Sequence, residues 1–295
     1  MLPIVRYRFV WFGISIALFL AGAVFLIIGG LRLGTDFTGG SLIQVKFTDG
    51  PAPVISDVET VLADSNLSGS RVQSVGESSL DIRSRQLSAE EHGSVLESLK
   101  KQYGALEEVA YSEVGPTLGK ELKQKAIAAV ILVLLGIIIY VSWAFRKSSG
   151  KLSGWAFGIN ALIALTHDVF ITLGFFAMLG YFFHVEIDAL FVTALMTVLG
   201  FSVHDTIVVF DRIREGIRKS ADEPLALIID RSVNETLVRS INTSLTALLV
   251  LFALYFFGGP TIKHFVLALI IGITIGTYSS IFLASPLLIY WKKSR

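Results

Sequence analysis

The chain has 295 residues, of which 53 % are hydrophobic and 17 % are charged, and its formal net charge is +1 at pH 7. Together with a mean hydropathy of +0.67, this composition is too apolar for a soluble domain and predicts a polytopic membrane protein. The charge gives no indication of nucleic-acid binding, and the absence of cysteine excludes disulfides, thiol nucleophiles and thiolate metal sites.

Six apolar segments are long enough to cross a bilayer as helices, which takes about 20 residues each. They cover residues 10–30, 126–145, 155–179, 188–210, 240–258 and 264–290. The first lacks the Ala-x-Ala-like cleavage site of a signal peptide, so we interpret it as a retained anchor. The expected organisation is the N-terminus with transmembrane helix 1 (1–30), an external domain (31–125), and transmembrane helices 2–6 with short loops (126–295).

The distribution of lysine and arginine predicts which side of the membrane each loop occupies. The two short loops 181–187 and 259–263 hold only Lys263, which places them outside and both termini in the cytoplasm. The basic residues then on the cytoplasmic side are Arg6, Arg8, Arg146, Lys147, Lys151, Arg212, Arg214, Arg218, Lys219, Arg231, Arg239, Lys292, Lys293 and Arg295. The four tryptophans (Trp11, Trp143, Trp155, Trp291) fall at the same interface, where indole rings are favoured.

The long polar segment after the first span has the pattern of a small α+β domain. Strands are predicted at 41–47, 71–76, 80–86 and 106–114, and helices at 55–65 and 88–103. We expect Ser56 to cap the first helix, and Ser88 to cap the second with Glu91 at the capping-box position. The order β-α-β-β-α-β is that of a ferredoxin-like unit. We see no catalytic constellation in it and expect it to bind or transmit.

The stretch GTDFTGGS (34–41) lies where the first span ends and contains three glycines. These glycines indicate a tight turn between the membrane and the first strand. The pattern does not match a nucleotide-binding loop, because no helix is predicted to follow it.

Polar residues interrupt three of the predicted spans. The third carries Asn160 and His167, seven residues apart on one helix face, with Asp168 adjacent. The fourth carries Ser202 and Asp205, three residues apart on one face, with His204 beside them. Asp205 is also about 9 Å deeper along its helix than Asp211, which follows six residues later.

The fifth span begins with a polar stripe. Its members, spaced at i, i+3, i+4 and i+7, are Arg239, Asn242, Thr243 and Thr246. Together with the polar faces of the third and fourth spans, this stripe predicts an interior polar seam.

A carboxyl group in hydrocarbon with a cation nearby is typical of proton-driven membrane machines. We therefore hypothesise that Asp205 gains and loses a proton as Arg239 approaches and withdraws. Simpler interpretations remain open: Arg239 could be an anchor that extends to the interface. His204, His167 and Asp168 could either join the proton pathway or only pack between helices. No metal or other cofactor is expected.

Three other functions are compatible with parts of the pattern. An intramembrane aspartyl protease would use Asp168 and Asp205 as a pair sharing a proton, but the spans place them at depths that differ by roughly 10 Å. A half-transporter of the proton-coupled drug or metal efflux type is the main alternative, and a purely structural subunit is another. The last span adds a stripe of small residues every four positions, typical of a packing face within the bundle or against a partner: Ala268, Gly272, Gly276, Ser280 and Ala284.

Five motifs in this order resemble the SecF family, the smaller partners of SecD in bacterial protein export, within the resistance–nodulation–division superfamily. They are GTDFTGGS (34–41), VGPTLGKEL (114–122), ALIALTHD (161–168), VLGFSVHDTIVVFDRIRE (198–215) and RSINTSLTALL (239–249). The resemblance covers essentially the whole chain, in the form of a separate subunit.

The resemblance implies a non-enzymatic subunit of the bacterial cytoplasmic (inner) membrane. It implies that the chain assists a late, ATP-independent stage of preprotein translocation through SecYEG, driven by the proton-motive force. It also implies a SecD partner packed beside the six spans, contact with the translocating preprotein and with lipid, and no nucleic-acid partner. Asp205 and Arg239 match the family's proton pathway, with Asn242 and Thr243 as lining.

Overall fold

The computed structural model describes residues 1–146, 152–220 and 222–291, and the chain forms two compact units. One unit consists of residues 33–127 and the other of residues 1–32 with 128–295. Five residues used in the orientation argument lie outside the described residues: Lys147, Lys151, Lys292, Lys293 and Arg295.

The helices, in chain order, are α1 (Arg8–Ile28), α2 (Thr35–Thr38), α3 (Ile55–Asp64), α4 (Ala89–Tyr103), α5 (Pro116–Ala144), α6 (Gly154–Phe183), α7 (Ala189–Lys219), α8 (Leu225–Phe257), α9 (Lys263–Ser279) and α10 (Ser285–Leu287). The strands are β1 (Gly40–Phe47), β2 (Arg71–Ser74), β3 (Ser79–Ser84) and β4 (Leu106–Val114). A π-helical turn, Ser280–Ala284, connects α9 to α10, and a 3-10 turn, Leu288–Trp291, follows.

Within the described ranges, six helical segments are long and apolar enough to cross a membrane: α1, α5, α6, α7, α8 and the last span, Lys263–Trp291. The predicted class, a polytopic helical membrane protein with six spans, is therefore confirmed. Side chains of α6 and of the last span are mostly buried, whereas those of α1, α5 and α8 are mostly exposed.

The unit of residues 33–127 is an α+β domain with a four-stranded antiparallel sheet in the order β2-β3-β1-β4. Alternate side chains of β1, such as Ile43 and Val45, are fully buried and pack in one core with Val58 of α3 and Leu99 of α4. This order and topology are those of the predicted ferredoxin-like unit. Its position outside the membrane stays a prediction.

The two helix caps predicted in this domain have different outcomes. Ser88 caps α4 as expected: its hydroxyl accepts from the Glu91 amide, and the Glu91 carboxylate accepts from the Ser88 amide at 2.8 Å. The prediction that Ser56 caps α3 is wrong: the helix begins at Ile55, so extended Val54 is the N-cap, without a side-chain cap, and Ser56 lies inside the first turn. The Ser56 hydroxyl donates to the neighbouring Asp57 carboxylate instead.

The Ser88 capping box has a pH-dependent component. Hydrogen bonds from Arg85 and from the Ser88 amide lower the pKa of the Glu91 carboxyl from 4.5 to about 2. Its stabilising contribution is therefore present above the unfolded pKa of 4.5 and is lost as the pH falls towards 2.

We expect Ser88→Ala to lower the free energy of unfolding of this domain by about 1 kcal/mol at neutral pH. We expect Glu91→Gln to weaken the domain at pH 7 but much less at pH 3. Denaturant titration of the chain in detergent micelles, followed by far-UV circular dichroism, measures both effects. Glu90→Gln, in the same helical turn but outside the capping box, is the control, and an equal effect of both variants would contradict the prediction.

In the membrane unit, α1 crosses α6 at a pair of glycines. A Cβ atom added to Gly174 would lie 2.3 Å from the Cα atom of Gly22, so the two backbones are in direct contact. Phe19 of α1 also stacks on Phe170 of α6, with ring centroids 3.9 Å apart. These contacts attach α1, which is otherwise largely exposed, to the bundle.

The stripe of small residues in the last span packs against α7, within the bundle. A Cβ atom on Gly272 would lie 2.3 Å from Val198, and one on Gly276 would lie 2.9 Å from Ser202. One step further on, the hydroxyl of Ser280 hydrogen-bonds to Thr206. Because Val198, Ser202 and Thr206 are also four residues apart, the two helices run in parallel with matching contacts at each step.

Candidate intramembrane site

Asp168 is a fully buried carboxyl group that joins three helices. Its Oδ1 atom is 3.0 Å from Nδ1 of the neighbouring His167. Its Oδ2 atom accepts from the hydroxyl of Ser202 on α7 at 2.6 Å and from that of Ser279 on α9 at 2.8 Å. A buried carboxyl with this many donors has its desolvation cost largely offset.

Asp205 is buried one helical turn beyond Ser202 on α7, with 7 % of its surface exposed. Its Oδ1 atom accepts from the hydroxyl of Ser240 on α8 at 2.5 Å. Its Oδ2 atom is buried without a hydrogen-bond partner among the described residues. A buried acceptor in that state costs about 1–3 kcal/mol, so the site is incompletely satisfied in this conformation.

Further hydroxyl pairs connect the helices around these two carboxyl groups. Thr206 of α7 pairs with Ser280 at 2.8 Å, and Ser244 of α8 pairs with Thr277 of α9 at 2.5 Å. The side chain of Ser285 donates to the main-chain oxygen of Ser280 at 2.7 Å, across the π-helical turn. π-Helical turns often occur at functional sites, and this one lies beside the residues that contact Asp168 and Asp205.

The predicted polar stripe of α8 lies on the exposed side of that helix. Arg239, Asn242 and Thr243 are exposed, and so is His204 of α7. Among the described residues, Arg239 forms no ion pair with Asp205. The α8 residues that face the bundle are instead Ser240 and its neighbours one turn away.

The sequence patterns single out Ser202 on α7 and Ser280 in the last span, but not the buried hydroxyl residues of α8. Thr236, Ser240 and Ser244 recur every four residues on α8 and are all buried, a spacing that could have indicated a second polar face. The sequence predicts that the α6 face with Asn160 and His167 lies in the bundle interior, and both residues are buried. Asn160 accepts from the indole N–H of Trp291 at 3.0 Å, which connects α6 to the end of the last span.

The geometry does not favour a protease dyad. Asp168 and Asp205 each receive hydroxyl donors, and no hydrogen bond joins the two carboxyl groups within the part of the chain that the structure describes. In the same part of the chain, no three His, Cys, Asp or Glu residues are grouped in a way that could hold a metal ion.

Comparison with known proteins shows which family the chain resembles. The family described as "Protein export membrane protein SecD/SecF, C-terminal" matches residues 94–294, and "SecD/SecF GG Motif" matches residues 24–50. The protein translocase subunit SecF of Thermobaculum terrenum is 47 % identical over 99 % of this chain and 94 % of its own length. The chain belongs to the SecD/SecF family.

Other SecD/SecF relatives agree with this assignment. The protein translocase subunit SecF of Anaerolinea thermophila is 38 % identical over 99 % of this chain and 94 % of its own length. The crystal structure of SecDF from Thermus thermophilus matches with a TM-score of 0.86 and 31 % identity, over 97 % of this chain and 38 % of that one. The protein translocase subunit SecDF of Brucella abortus is 36 % identical, over 98 % of this chain and 37 % of its length. Because SecDF proteins carry both names in one chain, they support a SecD-type partner for this one.

One glycine pair within the residues that match the SecD/SecF GG motif has a structural explanation here. Gly39 and Gly40 have φ angles of +77° and +121°, which L side chains rarely adopt. A Cβ atom on Gly39 would lie 2.7 Å from the Cα atom of Pro116, and one on Gly40 would lie 2.4 Å from the Ser84 carbonyl oxygen. The pair lets the chain pass from α2 directly into β1, so α2 is a helical turn within the segment predicted to be only a turn.

Proposed function

We propose that this SecD/SecF family member is a subunit that assists preprotein translocation in the bacterial cytoplasmic membrane. It pairs with a SecD-type partner next to SecYEG, has both termini in the cytoplasm, and presents residues 31–125 on the external side to the translocating preprotein. Proton movement through Asp205 supplies the energy, about 2.3 kcal/mol per proton for each 100 mV of membrane potential.

The observation that carries the proton pathway is the Asp205 carboxyl itself. It is buried within an apolar helix, and among the described residues its close hydrogen bond is to Ser240, while its second oxygen has no hydrogen-bond partner. A carboxyl group inside a membrane is costly and marks a functional site. The unpaired oxygen provides a position where a proton can bind.

Arg239 and Ser240 are neighbours on α8, so their side chains are about 100° apart around the helix axis. Ser240 faces Asp205 and Arg239 lies on the exposed side. A rotation of α8 by about one residue would replace the hydroxyl by the guanidinium and would favour release of the proton. Asn242 and Thr243 share the exposed side with Arg239 and line the pathway where the SecD-type partner covers it.

We expect Asp205→Asn to abolish proton flux and translocation stimulation in liposomes that contain this chain and its SecD partner, because the amide cannot take up a proton. Flux is measured with a pH-sensitive dye under an imposed membrane potential, and translocation by protection of a preprotein from added protease. Asp211→Asn, on the same helix, is the control. Asp211 is exposed and pairs with Arg214 at 2.6 Å, so its neutralisation should leave flux unchanged.

Full flux in Asp205→Asn would reject the proton pathway. Flux stimulated by small hydrophobic compounds, with no response to an unfolded translocating chain, would instead support the efflux-type alternative.

A further inference from the structure

The bundle contains a second buried carboxyl group for which the proton step has no use. Asp168 is completely buried, whereas proton transfer is proposed at Asp205. Three hydrogen-bond partners converge on Asp168: the hydroxyls of Ser202 and Ser279 donate to it, and the His167 ring pairs with its other oxygen. Among the described residues, Asp205 accepts one close hydrogen bond, from Ser240, and has Ser280 as a further, weaker contact. The two carboxyl groups therefore differ in hydrogen bonding. Both oxygens of Asp168 have hydrogen-bond partners, whereas Oδ2 of Asp205 has none among the described residues.

We propose that Asp168 is a positioning residue that holds α7 and α9 in the alignment that places Asp205 at its site. The inference rests on the proposed function in assigning the proton to Asp205. Asp168 acts through Ser202 on one helix and Ser279 on the other, and it neither carries the proton nor contacts the substrate.

The first step of the argument is the connection to α7. Ser202 precedes Asp205 by three residues on the same helix face, a rise of about 4.5 Å. Its hydroxyl donates to Asp168, and its main-chain oxygen accepts from Thr206, the residue after Asp205, at 2.9 Å. Asp168 therefore fixes the helical turn that carries Asp205.

The second step is the connection to α9. Ser279 is the last residue of α9, and the π-helical turn begins at Ser280. The Asp168 carboxyl binds Ser279, while Ser280 pairs with Thr206. A single carboxyl group thus ties the start of the π-helical turn to α7. The small residues of α9 allow the close approach that brings both serine hydroxyls to the same oxygen.

The hydrogen bonds also argue against a relay role for Asp168. The hydroxyls of Ser202 and Ser279 both donate towards it, and within the described residues no hydrogen bond joins the Asp168 carboxyl directly to the Asp205 carboxyl. Among the described residues, the charged or titratable groups that interact electrostatically with Asp205 are His204 and Arg239. In the part of the chain that the structure describes, neither of them hydrogen-bonds or forms an ion pair with Asp168.

The test uses the chain reconstituted with its SecD partner, in the wild type, Asp168→Asn, Asp168→Ala and Val169→Ala. One measurement is proton flux. The other is modification of Asp205 by dicyclohexylcarbodiimide, which reacts with protonated carboxyl groups in membranes, quantified by mass spectrometry across a pH series. Asp168→Asn keeps an oxygen acceptor for the serines but cannot carry a proton. Val169→Ala creates a neighbouring cavity without touching either carboxyl group.

We expect Asp168→Ala to shift the pH at which Asp205 labelling is half-maximal and to lower proton flux by roughly 100-fold, the scale of a misplaced reacting group. Asp168→Asn should restore both values close to those of the wild type. Val169→Ala should lower the melting temperature and leave the labelling midpoint unchanged.

Two results would overturn the inference. If Asp168→Asn abolishes flux as completely as Asp205→Asn does, Asp168 carries the proton. If Asp168→Ala matches Val169→Ala, with reduced stability and an unchanged labelling midpoint, Asp168 only supports the fold. The proposed function is tested separately: retained proton flux in Asp205→Asn would reject it. The two tests are distinguishable because the labelling of Asp205 in the Asp168 variants does not depend on flux.

Discussion

Replacement of Gly174 by alanine is expected to separate α1 from α6 and to destabilise the membrane unit strongly. The added Cβ atom would lie 2.3 Å from the Cα atom of Gly22 and 3.0 Å from its carbonyl carbon. Both are backbone atoms, so no side chain can rotate to make room and the helices themselves must move apart. Overpacking of this kind costs about 1–3 kcal/mol or more, and here the stacking of Phe19 on Phe170 would be disturbed as well.

The measurement is thermal unfolding of the purified chain in detergent micelles. The matched control is Gly200→Ala on α7, where an added Cβ atom meets nothing within 4 Å. Because glycine weakens a helix interior relative to alanine by about 0.5–1 kcal/mol, this control should be neutral or stabilising. Equal melting temperatures for the two variants would mean that the α1–α6 contact contributes little.

Replacement of Gly40 by alanine is expected to prevent β1 from forming its native start. The residue has a φ angle of +121°, and its Cβ atom would lie 2.4 Å from the main-chain oxygen of Ser84. The positive φ angle alone costs about 1–3 kcal/mol for a non-glycine residue, and relief of the clash requires loss of pairing near Ser41 and Ser84. The central strand of the sheet would therefore be displaced.

Hydrogen–deuterium exchange with mass spectrometry measures the effect peptide by peptide. Exchange in residues 33–127 can therefore be followed separately from exchange in the membrane unit. Faster exchange is expected in β1 and β3. Gly50→Ala is the control, since its added Cβ atom meets nothing within 4 Å and its φ angle is not positive. Native exchange rates in Gly40→Ala would show that the GG motif is not required for the backbone path.

The ferredoxin-like domain was largely predictable because its signals are local. The alternation in SLIQVKF and the spacing of Ser88 and Glu91 each determine a strand or a helix start without distant partners. The prediction that Ser56 is the N-cap failed because the helix begins at Ile55, so that Val54 is the N-cap. The path of Gly39 and Gly40 could not be inferred in detail, since it depends on Pro116 and Ser84, which are remote in sequence.

The intramembrane site was predictable only in part. Helical spacing identifies residues that share a face, and it grouped Ser202 with Asp205 on α7, which are both buried. It does not determine which face of a helix points inwards when polar residues occupy two sides. On α8, the stripe with Arg239 and the stripe with Ser240 are adjacent, and only packing against α7 and α9 distinguishes them.

The matched contacts between α7 and the last span limit how these two helices can move. Each step pairs a small residue with Val198, Ser202 or Thr206, so a slide by fewer than four residues would drive side chains into backbone. The next compatible register is about 6 Å away, too far for a thermal slip in a packed bundle. The two helices are therefore expected to move as one rigid body. A shift of the last span along its axis at the end near Lys263 would move α7 by the same distance at the level of Asp205.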